Sequence, residues 1–97
     1  MNIPHKDIRI AYAWYKPEQW DQLRSASEDR DRLEETFSEW ASMAEASIQM
    51  MQEEGLMLTR VTIDVIELVA WCRKENIPVN AAARARLASI KLKELTG

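Results

Sequence analysis

The chain has 97 residues, of which 46% are hydrophobic and 30% are charged, with only two glycines and three prolines. These values predict one helix-rich globular domain over residues 1–97 and exclude a collagenous or disordered chain. A single cysteine excludes an intramolecular disulfide and a cysteine-rich zinc site. The net charge of −3 is unevenly placed, since residues 1–58 carry −6 and residues 59–97 carry +3.

The first predicted element is a β-strand over residues 8–15, which follows a flexible tail at residues 1–6. Every second residue from Ile8 to Trp14 is large and apolar or aromatic, and a spacing of two with β-branched and aromatic residues is typical of a strand. Ala11 and Ala13 indicate that a second element packs closely on their face. Pro17 then begins a short helix, because proline suits the first helical position.

The central predicted element is a long helix over residues 30–54. Capping-box spacings at Ser25 and at Asp31 leave its first residue open. Gly55 is expected to adopt the left-handed conformation that often follows a helix. The apolar residues follow spacings of four, three, four and seven, close to a heptad repeat: Leu33, Phe37, Trp40, Ala44 and Met51.

A second strand is predicted within residues 56–65, and Asp64 is expected to cap the helix that follows it. This helix, over residues 65–75, is apolar nearly all round. A helix that is apolar on every side is typically buried. It is therefore predicted to be the centre of the core or of a subunit interface.

The last predicted helix begins after Asn80, which is a good N-terminal cap, and runs to about Leu95. The whole pattern predicts a predominantly helical α+β fold of order β-α-α-β-α-α with two short strands. The order and orientation of the strands stay open at this point.

The sequence also predicts self-association. Two strands alone make a marginal sheet, and methionine adapts well to irregular apolar contacts. We therefore expect a homodimer or a larger oligomer, formed through a shared sheet or through paired long helices, and another protein is a further candidate partner. The candidate interaction residues are Trp40, Met43, Met50 and Met51.

Three segments resemble a group of small bacterial proteins with no assigned function. They are residues 14–20 (WYKPEQW), residues 69–72 (VAWC) and residues 77–80 (IPVN), the last leading into an Ala-Arg-Ala-Arg helix. The resemblance implies a bacterial cytoplasmic protein, and it brings no catalytic or binding residues. No secretory signal or apolar run of the ~20 residues that cross a bilayer is visible, so no membrane association is expected.

The residues favour a non-enzymatic protein-interaction module. His5 lies in the predicted tail, Cys72 lies in an apolar helix, and no glycine-rich phosphate loop is present, so no catalytic residue, cofactor or metal is predicted. Glu28, Asp31 and Glu35 could share a helix face that binds a divalent cation, but a solvated face with local ion pairs is favoured.

The alternative function is a small nucleic-acid-binding regulator. The last two helices and the proline-containing break between them could form a helix-turn-helix with a basic patch. The overall negative charge and the scarcity of base-reading side chains on the last helix argue against this interpretation. The candidate phosphate contacts are Arg73, Lys74, Arg84, Arg86, Lys91 and Lys93.

Overall fold

The computed structural model describes residues 9–96, so the predicted tail and Ile8 lie outside the described residues. Short 3₁₀ turns at Pro17–Gln19 and Arg30–Arg32 precede the first two α-helices. The order of elements and the predominantly helical α+β fold confirm the sequence prediction. The strands and helices are β1 (Ile10–Tyr15), α1 (Trp20–Ala26), α2 (Phe37–Glu53), β2 (Leu58–Ile63), α3 (Val65–Glu75) and α4 (Ala81–Thr96).

The two strands pair in parallel, with Ala13 opposite Val61 and Tyr15 opposite Ile63. Parallel strands need a long crossover, which α1 and α2 provide. Since side chains alternate along a strand, these four residues share one face of the sheet with Ala11. Helix α4 packs against both strands, and Ala11 and Ala13 pack against the same core. This arrangement confirms the close packing that the two alanines predicted.

Helix α4 supplies a large part of the core. Ala83, Leu87, Ala88 and Leu92 are buried and lie along one side of this helix. The alanines let the helix approach the sheet closely, while the leucines fill the space beside them. Helix α4 therefore shares the central position that was predicted for residues 65–75.

Among the residues that the structure describes, helix α3 buries only one of its faces. Val65, Leu68 and Cys72 are buried, whereas Ile66 and Ala70 are exposed. The prediction that this helix is buried on every side is therefore wrong, although its inner face does contribute three fully buried side chains to the core. The alternative place of this helix, in a subunit interface, stays a prediction.

Helix α2 begins at Phe37 instead of residue 30. The Glu39 amide donates to Thr36 Oγ1 at 3.1 Å, and the Thr36 amide donates to Glu39 Oε1 at 3.2 Å. This reciprocal pair is a capping box, and Thr36 itself is extended. The predicted helix was too long at its start, because the local cap at Thr36 wins over the apolar spacing that continued back to Leu33.

Three predicted helix ends are confirmed. Gly55 has φ of 93°, and the amide that follows it donates to the carbonyl of Met51, which closes the end of α2. Asp64 Oδ1 accepts from the Glu67 amide at 3.1 Å at the start of α3. Asn80 Oδ1 accepts from the amide three residues later at 3.0 Å and begins α4.

Candidate interaction surface

The four residues predicted as an interaction surface lie on two different sides of α2. Trp40 and Met51 are half-buried, on the side that also carries the buried Ile48. Met43 and Met50 are 57% and 65% exposed, and they lie seven residues apart on a second side. Of the four predicted residues, Trp40 and Met51 therefore pack within the fold, whereas Met43 and Met50 are exposed.

Trp40 belongs to an aromatic cluster that holds α2 against the end of β1. Its ring centroid lies 4.8 Å from that of Trp14, 4.9 Å from that of Tyr15 and 5.4 Å from that of Trp20. Phe37 completes the cluster, 5.7 Å from Trp40. Ring pairs at such separations contribute about 0.5–1.5 kcal/mol each beyond the area they bury. Trp40 therefore positions the helix, while the exposed methionines face solvent.

The exposed side of α2 is a continuous stripe. Between Met43 and Met50 it carries only Ala46 and Ser47, which are small and exposed. Two glutamates follow three and four positions after Met50, so they extend the same side of the helix. We call this stripe the α2 surface, and it consists of Met43, Ala46, Ser47, Met50, Glu53 and Glu54.

The charged residues of the α2 surface are both negative. They are Glu53, at the end of α2, and Glu54 directly after it, and α2 contains no Lys or Arg. A carboxylate at the C-terminal end of a helix opposes the helix dipole, an effect of about 0.3–1 kcal/mol. Within residues 9–96, neither Glu53 nor Glu54 makes a salt bridge. A cationic partner would offset the unfavourable position of these two carboxylates at the C-terminal end of the helix.

Arg84, one of the predicted phosphate contacts, lies in the interior with 6% exposure. Its two terminal nitrogens donate to the carboxylate oxygens of Asp29 at 3.0 and 2.8 Å, and Nη1 also donates to Ser27 Oγ at 3.2 Å. The hydrogen bonds from Arg84 hold the pKa of Asp29 below its ordinary value. A phosphate contact needs an accessible cation, whereas this guanidinium ties α4 to the connection between α1 and α2.

The other predicted phosphate contacts are divided among different environments. Lys91 Nζ lies 2.9 Å from Glu67 Oε1, and the Arg86 guanidinium lies 5.5 Å from the centre of the Trp71 ring. These two cations therefore already have partners within the chain. Three further cations are exposed and make no salt bridge within the described range: Arg73, Lys74 and Lys93.

The two side chains that were weighed as catalytic candidates, Cys72 and His5, do not form a reactive pair within the described residues. Cys72 is buried in the core, and burial raises the pKa of its thiol, which favours the unreactive protonated form. His5 lies outside the range that the structure describes. Across residues 9–96, no three Asp, Glu, His or Cys side chains are grouped so as to hold a metal ion.

Tyr15 and Arg84 line a depression of about 290 Å³ beside β1. Burial raises the pKa of Tyr15 to about 12, although Arg84 acts in the opposite direction. The phenol is therefore neutral at physiological pH, and Arg84 already donates to Asp29 and Ser27. The depression therefore has mostly apolar walls, and its cation, Arg84, already uses both terminal nitrogens in hydrogen bonds within the chain.

Comparisons with known proteins provide no family for this chain. No protein-family model matches it, and neither a curated protein nor a solved structure is significantly similar to it. The resemblance to small bacterial proteins therefore stays an expectation. In the part of the chain that the structure describes, no helix combines the length and apolar character needed to span a membrane.

Proposed function

We propose that this protein is a non-enzymatic interaction module of a bacterial cytoplasm that self-associates through the α2 surface. The observation that supports this most directly is the exposure of Met43 and Met50 on one side of α2, with only small residues between them. Single exposed apolar residues are normal on protein surfaces, whereas large apolar side chains exposed together on one side of a helix are more typical of an interaction site.

The energetics favour burial of this stripe. The two methionines span about 10 Å along the helix, at roughly 1.5 Å per residue. Full burial of one methionine contributes about 1.5–3 kcal/mol, and its flexible thioether fits irregular surfaces. The small side chains between the methionines allow a partner to approach the helix backbone. A second copy also adds buried area to a chain whose sheet has only two strands in the described range.

The test is a matched pair of substitutions in one helix. Met50→Glu introduces a charge on the α2 surface, and Gln49→Glu introduces the same charge at the adjacent exposed position on another side. Sedimentation velocity over a concentration series measures self-association of both variants and of the wild-type protein. We expect Met50→Glu to weaken association by ~10-fold or more, because at least ~1.4 kcal/mol of burial is lost. Gln49→Glu is expected to match the wild type.

Two results contradict the proposal. The first is a wild-type protein that stays monomeric at every concentration, and the second is equal association of the two variants. Met51→Glu is a less specific test, because Met51 is half-buried on the packing side and its replacement also disturbs the fold. Far-UV circular dichroism and thermal melting establish that Met50→Glu retains the native fold.

A further inference from the structure

The charge of α2 decides against pairing of the α2 surface with itself. Pairing the α2 surfaces of two copies would bring four carboxylates and no cation into one interface, since each surface carries Glu53 and Glu54. Like charges placed together across an interface are strongly disfavoured. The surface that covers the exposed methionines therefore needs apolar groups for Met50 and cations for Glu53 and Glu54.

Such a surface is present on the outer side of α3. Ile66 is 64% exposed, and Ala70 and Arg73 follow it at spacings of four and three on the same side of the helix. Lys74 is exposed beside Arg73. Within residues 9–96, neither cation makes a salt bridge, so both are available to an external anion.

A groove beside this face has a size and lining that suit a methionine. It lies between α1 and α3, has a volume of about 280 Å³, and includes Ala26, Val65, Val69 and Ile66 in its walls. Arg73 also lines the groove. A partner helix could place an apolar side chain against the apolar walls of the groove. Carboxylates one turn further along the same partner helix would then lie near the two cations.

The spacing of the two surfaces also matches. On α2, Met50 precedes Glu53 and Glu54 by three and four residues. On α3, Ala70 precedes Arg73 and Lys74 by the same three and four residues. If the two helices pack in the same direction, Met50 can lie against Ala70. One helical turn further on, the two glutamates then lie against the two cations.

We infer that the α2 surface of one copy docks on the α3 face of a second copy, with Met50 in the groove between α1 and α3 and with Glu53 and Glu54 beside Arg73 and Lys74. This inference rests on the proposed self-association and specifies its partner surface. The contact joins two different surfaces, and in the arrangement that we infer two neighbouring copies share one such contact, which makes it head-to-tail. Each added copy leaves one surface of each kind free, and the assembly grows into a ring or a filament.

Two complementary variants test the head-to-tail contact. Met50→Glu disables the α2 surface and leaves the α3 face intact, whereas Ile66→Glu does the reverse. We expect each variant alone to associate at least ~10-fold more weakly than the wild type. An equimolar mixture is expected to form a one-to-one dimer that does not grow, because both of its outer surfaces are disabled. Native mass spectrometry and sedimentation equilibrium measure the mass of the mixed species.

The matched control is Leu95→Glu, which introduces the same charge at a 75% exposed leucine on α4, outside both surfaces. This variant is expected to assemble like the wild type. Thermal melting of all three variants shows whether each one is folded. If Ile66→Glu does not fold, the double substitution Arg73→Glu and Lys74→Glu takes its place, because both side chains are exposed.

The outcomes distinguish this inference from the proposed function. If Met50→Glu loses association while Ile66→Glu retains all of it, the α3 face is not the partner surface, although the α2 surface still mediates assembly. If the mixture remains monomeric, the head-to-tail contact is likewise excluded. A wild-type protein that never associates overturns both proposals. A charge exchange supports the inference if Glu53→Lys with Glu54→Lys associates only when mixed with Arg73→Glu and Lys74→Glu.

Discussion

Helices α3 and α4 follow one another in the chain and use their side chains in opposite ways. Helix α3 is rich in large apolar residues, yet it leaves Ile66 in solvent. Helix α4 is rich in alanine and carries four basic residues, yet it packs against both strands and buries Leu87. The helix that lies on the sheet is thus the one with small residues on its inner side, since these allow its backbone to come close.

This difference separates the apolar residues that the fold needs from those that it does not. Leu87 is covered on all sides by the core cluster, so its methyl groups stabilise the folded chain. Ile66 has no comparable cover within the described residues, so its apolar area is available to a partner. Substitutions in the two helices are therefore expected to affect different properties.

The largest expected effect on stability is that of Leu87→Ala. Truncation of a buried leucine removes favourable burial and leaves a cavity, at a cost of about 2–5 kcal/mol. This is a large share of the roughly 5–15 kcal/mol that stabilises a typical domain. Urea unfolding followed by tryptophan fluorescence measures the change. A loss below ~1 kcal/mol would contradict the central position of α4 in the core.

The next largest effect is expected for Arg84→Gln. It removes a bidentate partner from Asp29 and should cost about 2–3 kcal/mol at neutral pH. Because Arg84 lowers the pKa of Asp29 in the folded state, this stabilisation is present above the ordinary Asp pKa and is lost as pH falls through the lowered folded-state pKa. The gap between wild type and variant is therefore expected to narrow on acidification.

Urea unfolding at a series of decreasing pH values measures that gap directly. Lys91→Gln is the matched control, because its ion pair with Glu67 is more exposed than that of Arg84 and is expected to contribute at most ~1 kcal/mol. Arg84→Gln and Lys91→Gln with equal effects at neutral pH would show that the interior position of Arg84 does not matter to stability.

The smallest expected effect on stability is that of Ile66→Ala. An exposed substitution away from special features usually changes the free energy of unfolding by no more than ~0.5 kcal/mol. The same change removes part of the proposed α3 face, so it is expected to weaken self-association measurably while melting remains unchanged. A large loss of stability without any change in association would show that Ile66 stabilises the fold, as Leu87 does, and does not contact a partner.

Much of the fold was predictable because its signals are local. Asp64 and Asn80 accept hydrogen bonds from amides three residues away, and Gly55 adopts the positive φ that ends α2. The start of α2 was missed although its signal was present, since Thr36 and Glu39 have the spacing of a capping box. The prediction extended the helix beyond this cap because the apolar spacing continued back to Leu33.

The candidate interaction surface was only partly predictable. Met43 and Met50 were predicted from composition and helical spacing, but the same reasoning included Trp40, which packs in the aromatic cluster. Glu53 and Glu54 were not singled out, although two acidic residues directly before Gly55 oppose the helix dipole and provide a readable signal. The exposure of Ile66 had no local signal, because an isoleucine in an apolar helix usually indicates core.

The sequence by itself determined the helix ends, the helical character and the uneven charge, because these depend on residues within one or two turns of each other. Only the tertiary structure decided which apolar residues are covered. That outcome depends on the parallel pairing of β1 with β2, which are far apart in the chain, and on the placement of α4 across them. Burial depends on what packs against a side chain. The small Ala88 is therefore buried and Met50 is exposed, although Met50 has the larger apolar area.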